Sequence, residues 1–187
     1  MFEFIFKFNG WKITHFLSKD IKRCVLIAVP HTSNWDTVYA LGTWKIMGLK
    51  TRFTIKKEWL RFPFKGILTK LGALPIDRGL NPDGSRKGTV EAMADLFSKH
   101  DELILTVTPE GTRSRVTKWK TGFYHVALKA NVPIALGFID YKTKTTGIDK
   151  LVYPTGDYNA DMKIIMDFYK DKTAKFPENF SLDTSIE

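Results

Sequence analysis

Residues 24–36 read CVLIAVPHTSNWD. Cys24 to Val29 form an unbroken apolar run, the pattern of a short strand covered on both faces. Pro30 ends the run, and the chain then presents an imidazole, two hydroxyls, an amide and a carboxylate. A connecting loop needs turn residues; it does not need a histidine followed five positions later by an acid. Two readings are open. PHTSNWD is an ordinary strand-to-helix turn in which Ser33 or Asn34 caps a helix starting near Asp36. Alternatively, His31 is a base and Asp36 its orienting partner, the loop folding together two residues that would diverge on a continuous helix.

The rest of the chain repeats the alternation. Strands are expected at Arg52 to Ile55, Ala73 to Ile76, Leu103 to Val107, Pro133 to Tyr141 and Ile148 to Tyr153, with a turn at Thr143 to Gly147. Helices are expected at Asp36 to Met47, Ser85 to His100, Gly122 to Ala130 and Asn159 to Lys172. Glu58 to Leu71 reads as loop and helix interrupted at Pro63, and Val90, Met93, Ala94 and Phe97 mark the apolar face of the Ser85 helix. Strands alternating with helices give an α/β fold, a single-domain layered structure with a mostly parallel central sheet flanked by helices. One domain over 1–187 is expected, with an N-terminal segment 1–23 and a core 24–187. The N-terminal segment has apolar residues at Phe2, Ile5, Phe6, Ile13, Phe16 and Leu17, a helical spacing broken near Gly10, but Phe2, Phe4, Phe6 and Phe8 also alternate, so a strand stays open. Its aromatics interleave with lysines, which suits either a helix packed on the domain or one lying in a membrane interface.

Composition narrows the partners without choosing one. The net charge is +9, with basic residues crowded between Lys50 and Lys70 and again between Arg113 and Lys120, a balance that suits an anionic partner. No apolar run reaches the ~18 residues of a membrane span, and no secretory leader is expected. The single cysteine, Cys24, fits a reducing compartment and reads as a buried strand residue rather than a nucleophile. His15, His100 and His125 lack partners at metal-ligand spacing, so no metal site is expected.

In open α/β sheets ligands bind beyond the carboxyl ends of strands. His31 follows one expected strand, Arg78 in GALPIDR (72–78) another, and Glu110 in TPEGTRSR (108–115) a third. Taken singly, each is matched by a plain alternative: a histidine beside a helix cap, a solvated Asp77–Arg78 pair, a polar turn. Arg78 alternatively grips a phosphate through its planar fork. Gly111 admits close backbone approach, Thr112 and Arg113 supply donors and charge, and Glu110 is expected to orient Arg113 or a substrate hydroxyl.

Taken together, the blocks HTSNWD, GALPIDR, PEGTRS and NVPI (131–134), in this order, resemble the four motif blocks of the glycerolipid acyltransferase superfamily, lysophosphatidic acid acyltransferase type. The segments KKEWLRFPFKG and WKTGFYHVA resemble that family's connecting segments, so the resemblance spans roughly Cys24 to Phe138. It implies that His31 is the general base on the acceptor hydroxyl and Asp36 its partner, with direct attack on a thioester and no acyl-enzyme. It implies that Arg78, with Glu110, Gly111, Thr112 and Arg113, forms the acceptor site, that Lys57 faces the acceptor phosphate, and that Pro133 positions the last strand. No bound cofactor is implied; acyl-CoA or acyl carrier protein is the co-substrate. The implied acceptor is 1-acyl-glycerol-3-phosphate, or another lysolipid such as a lyso-ornithine lipid, in phospholipid biosynthesis. The implied location is peripheral, on the cytoplasmic face of an anionic membrane. Two departures, Pro75 before Ile76 and Leu136 where many relatives carry a second proline, touch the acceptor surroundings and not the His31–Asp36 pair. The basic charge also admits a nucleic-acid-binding module, but that reading leaves H-x4-D and PEGTR unexplained, and no nucleic-acid partner is expected. A metal-dependent phosphoesterase using His31, Asp36 and Glu110 is the remaining alternative.

Overall fold

The computed structural model describes residues 2–56, 63, 65–76 and 88–186. In chain order its elements are α1 (Phe2–Asn9), β1 (Lys12–His15), β2 (Arg23–Val29), α2 (Asn34–Ile46), β3 (Thr51–Lys56), α3 (Lys65–Lys70), β4 (Ala73–Ile76), α4 (Thr89–Ser98), β5 (Leu103–Val107), α5 (Gly122–Ala130), β6 (Ile134–Asp140), β7 (Thr145–Val152) and α6 (Tyr158–Tyr169). The strands form a seven-stranded sheet in the order β1-β7-β6-β2-β5-β3-β4. Every neighbouring pair is parallel except β6 with β7. The α/β, mostly parallel sheet expected from the sequence is the one observed.

The apolar run 24–29 lies within β2 at the middle of this sheet, hydrogen-bonded to β5 on one side and β6 on the other. Successive strand side chains alternate between faces. Val25, Ile27 and Val29 join α4, α5 and α6 through Met93, Phe97, Phe123, Val126, Met162 and Ile165. Cys24 and Leu26 face the other way, onto Trp44 of α2 and Leu17. Burial on both faces explains why the run has no polar alternation. Burial also pushes the Cys24 thiol up to about 12, which keeps it protonated.

In the N-terminal segment the alternating Phe2 to Phe8 fall in a helix, not a strand, while Ile13, counted in the helical spacing, lies in a strand beyond Gly10. Residues 2–9 are helical, Gly10 turns the chain at a φ of +72°, and 12–15 pair with β7 as an edge strand. The helix is anchored by Phe6, and Trp11 is buried beside it against Tyr39 of α2. The turn expected at Thr143 to Gly147 falls earlier, and β7 already begins at Thr145. Gly147 is a strand residue because β1 passes too close for a side chain: a Cβ there would lie 2.7 Å from the His15 carbonyl oxygen. Helix α4 is described from Thr89, after Gly88 in extended backbone, and its buried face carries Met93, Ala94 and Phe97 as expected, with Ala92 added. Pro75 sits in β4, the edge strand among the described residues, where its missing N–H costs no ladder bond to another described strand.

Candidate active site

Sheet register brings the loops together. Val29 of β2 is level with Phe138 of β6, and Ile27 is level with Val107 of β5. The residues that follow these strands therefore leave the sheet at one edge: His31, Glu110 and Tyr141.

The PHTSNWD turn caps α2 and also sets the His31 ring beside the Asp36 carboxylate. Ser33 is the N-cap of α2, its side chain accepting from the Trp35 amide at 3.2 Å. Asp36 closes a capping box: its Oδ2 accepts the amides of Thr32 and Ser33, both at 2.7 Å. The same Oδ2 lies 3.9 Å from His31 Nδ1, close but beyond hydrogen-bond length. The other oxygen, Oδ1, accepts the hydroxyl of Tyr141 at 2.6 Å. Asp36 is 3% exposed, so this buried carboxylate is satisfied on both oxygens while facing the imidazole.

Glu110 is also buried, and it points to His31 rather than to Arg113. Its Oε1 accepts the His31 backbone N–H at 3.1 Å, and its Oε2 has no partner among the described residues. Burial pushes this carboxyl up to about 7, with the His31 amide opposing and Asp36 adding to the rise. Burial pushes His31 below its ordinary value; Asp36 partly restores it, and Arg113 lowers it further. The imidazole is therefore neutral near pH 7, the form that takes a proton.

Gly111 follows in the left-handed region with a φ of +67°, and a Cβ there would lie 2.5 Å from Lys120 Nζ. Thr112 and Arg113 are exposed, and the Thr112 hydroxyl accepts the Ser114 amide at 3.3 Å. Arg78 and Lys57 lie outside the described residues, as do Asp77 and most of the Trp59 to Phe64 stretch. Two braces went unread in the sequence. Tyr141 directly follows β6 at the edge that carries His31, and that placement was the available signal. The other is Phe176, whose amide donates to the Thr32 hydroxyl at 3.3 Å, across 144 residues, with no local pattern to announce it.

A cavity of about 410 Å³ begins at His31 and Asp36 and runs under α2 to Trp44, Thr51 and Leu71. Asp36 and Trp44 are eight residues apart on the helix, about 12 Å at its rise. The intervening wall is largely apolar, with Ala28, Ala40, Leu41, Phe53 and Phe138. The basic side chains of Lys45, Lys50, Arg52 and Lys70 surround a second recess that shares the Trp44 end of this cavity. Among the described residues no three His, Cys, Asp or Glu side chains are grouped to hold a metal ion.

The family model described as Acyltransferase matches residues 12–135. The 1-acyl-sn-glycerol-3-phosphate acyltransferases of Salmonella typhimurium and Escherichia coli are each 38% identical over 108 residues, 56% of this chain and 42% of each relative. That of Haemophilus influenzae is 31% identical over 134 residues, 67% of this chain and 52% of the relative. The chain thus spans about half or less of the length of these relatives. The crystal structure of the 1-acyl-sn-glycerophosphate (LPA) acyltransferase PlsC from Thermotoga maritima superposes with a TM-score of 0.56 at 16% identity. It covers 93% of this chain and 78% of the other, a likeness of fold. With the family model matched over most of its length, from β1 into β6, the chain belongs to the acyltransferase family.

Proposed function

We propose that the chain transfers a fatty acyl group from a thioester to the hydroxyl of a lysophospholipid-type acceptor, 1-acyl-glycerol-3-phosphate first, in phospholipid synthesis. The observation that carries this reading is the apolar cavity with a neutral imidazole and a buried carboxylate at its mouth. An acyl chain has the shape and polarity of that cavity, and its size lies within the usual range of ligand pockets, ~300–1,000 Å³.

In this reading His31 takes the proton of the acceptor hydroxyl as its oxygen attacks the thioester carbonyl. Asp36, 3.9 Å from Nδ1, stabilises the imidazolium that forms. The tetrahedral intermediate collapses with loss of the C–S bond, and His31 returns the proton to the departing thiol. Glu110 holds the His31 backbone in place through its amide. Gly111, Thr112 and Arg113, with Arg78 and Lys57, bind the acceptor's phosphate; their basic and donor groups and the resemblance of their motifs support this assignment. The recess around Lys50, Arg52 and Lys70 lies at the far end of the cavity, so it is a poor place for a phosphate next to the reacting hydroxyl.

Association with an anionic membrane is part of the same proposal. No helix among the described residues is long and apolar enough to cross a bilayer. Phe4 and Phe8 of α1 are 71% and 79% exposed and stack on each other, an apolar surface suited to lipid. Mass spectrometry of products from acyl-CoA and acyl carrier protein donors, each offered with lysophosphatidate, a lyso-ornithine lipid and other lysolipids, tests the reaction. Formation of a diacyl product that depends on both substrates is expected; thioester that stays intact with every acceptor would overturn it.

A further inference from the structure

Asp36 meets three elements at once. Its Oδ2 is fixed by the two amides of its own turn and faces His31, which leaves Oδ1 as the free variable in the site. That oxygen is taken by Tyr141, reached from the end of β6 across 105 residues. The phenol ring is held independently of its hydroxyl. Trp11 packs edge-on against it at 5.0 Å between centroids, Tyr39 lies at 6.2 Å, and the Tyr141 amide donates to the Thr173 carbonyl at 2.9 Å.

We propose that Tyr141 is a positioning residue: its hydroxyl holds Oδ1 of Asp36, so that the carboxylate turns only Oδ2 to His31 and shares its charge with a neutral donor. The consequence is a weaker pull of Asp36 on a protonated imidazole, which keeps His31 in its base form over a wider pH range. A phenol can do this only while it keeps its proton. Burial, then the bond to Asp36, then its charge and that of Tyr39, raise Tyr141 well above the ordinary phenol range, so the donor persists at any working pH. Among the described residues the titratable groups facing His31 are Asp36 from α2 and Glu110 and Arg113 from the loop after β5. Tyr141 acts on it only through Asp36. This inference rests on the reading of His31 as the base, and its tests separate the two.

Tyr141→Phe keeps the ring on Trp11 and Tyr39 and deletes the hydroxyl. With Oδ2 still held by the Thr32 and Ser33 amides, the undivided charge of Asp36 favours the imidazolium. The acid limb of kcat/KM is expected to move up by about one pH unit. That is about a tenfold loss below the limb, closing to within twofold on its alkaline side, with both KM values within twofold. Titration of 13C-labelled histidines by NMR gives a readout free of turnover. The chain has four histidines, and the resonance missing in His31→Asn identifies His31. In Tyr141→Phe that resonance is expected to titrate at higher pH, with the other three unmoved. An unshifted His31 resonance would overturn the role of Tyr141 whatever the enzyme does. A shifted resonance in a protein that consumes no thioester would sustain it while overturning the acyl-transfer reading.

Discussion

Glu110 Oε1 accepts the backbone N–H of His31 at 3.1 Å, joining two loops 79 residues apart in sequence. The carboxyl that makes this bond is pushed up to about 7 from an ordinary 4.5, by burial first. Between those values the folded protein keeps a proton that the unfolded chain has released. Glu110 therefore contributes stability below about pH 4.5 and loses it as pH rises through 7. Glu110→Gln removes the titration and keeps an oxygen for the His31 amide. The unfolding free energy of the variant relative to the parent is expected to rise from pH 4 to pH 8 by on the order of 3 kcal/mol. Urea melts at several pH values measure it, and parallel curves for the two proteins would refute the assignment.

The two members of the H-x4-D pair are expected to fail differently. His31 lines the cavity and makes no side-chain bond on which α2 depends, so His31→Asn should lower turnover by about 10²–10⁴-fold and leave the melting temperature almost unchanged. Because burial holds His31 below 6.5, the parent's kcat/KM should fall only as the pH drops through a limb below that value. Asp36 also completes the cap of α2. Asp36→Ala should therefore lose activity and on the order of 2 kcal/mol of stability. Thioester consumption and thermal melts of both variants separate the roles; equal stability losses would argue against a shared capping and catalytic duty.

The apolar run at 24–29 placed β2 because a strand buried on both faces has no other composition open to it. The convergence of the loops carrying His31, Asp36 and Glu110 was legible because parallel strands deliver their carboxyl ends to one edge. The capping duty of Asp36 was half visible, in that Ser33 was a candidate N-cap and a capping box needs an acid three residues later. What Glu110 binds was not legible. Of the two expected partners, Arg113 or a substrate hydroxyl, the structure gives Oε1 neither but a backbone amide, since a buried carboxyl takes whichever donor the neighbouring turn supplies. Tyr141 and Phe176 act on residues more than a hundred positions away, and no spacing rule reaches that far. The early start of β7 was hidden because Gly147 looks like a turn residue, while its purpose is to let β1 approach.

Chain length should be set by the depth of the cavity under α2. Ala40 lies on its wall, between the Asp36 end and the Trp44 end. Ala40→Phe places a ring where the far half of an acyl chain would lie. Turnover with long-chain thioesters is expected to fall about tenfold or more while short-chain donors keep most of theirs, measured as kcat/KM across a donor series. A uniform loss at every length would point to a general packing fault, and an unchanged profile would place the acyl chain elsewhere.

Contact with the bilayer should depend on the outer face of α1. Deleting the whole N-terminal segment is a poor test, because Phe6 and Trp11 are part of the core around Tyr39 and β1 pairs with β7. Phe4 and Phe8 are different: they are among the most exposed large apolar side chains of the described residues. Phe4→Ser with Phe8→Ser removes two aromatic rings, each worth roughly 1.5–3 kcal/mol when fully buried, from the surface offered to lipid, and leaves the packed face intact. Sedimentation with vesicles of anionic phospholipid should show at least a tenfold weaker association. The thermal melt, and turnover of a donor–acceptor pair in detergent, should stay within experimental spread. Unaltered sedimentation would remove α1 from the lipid-facing surface. The basic groups near the bilayer, at about 1 kcal/mol each, would then have to account for whatever binding the protein has, and a steep loss of binding with added salt would identify them.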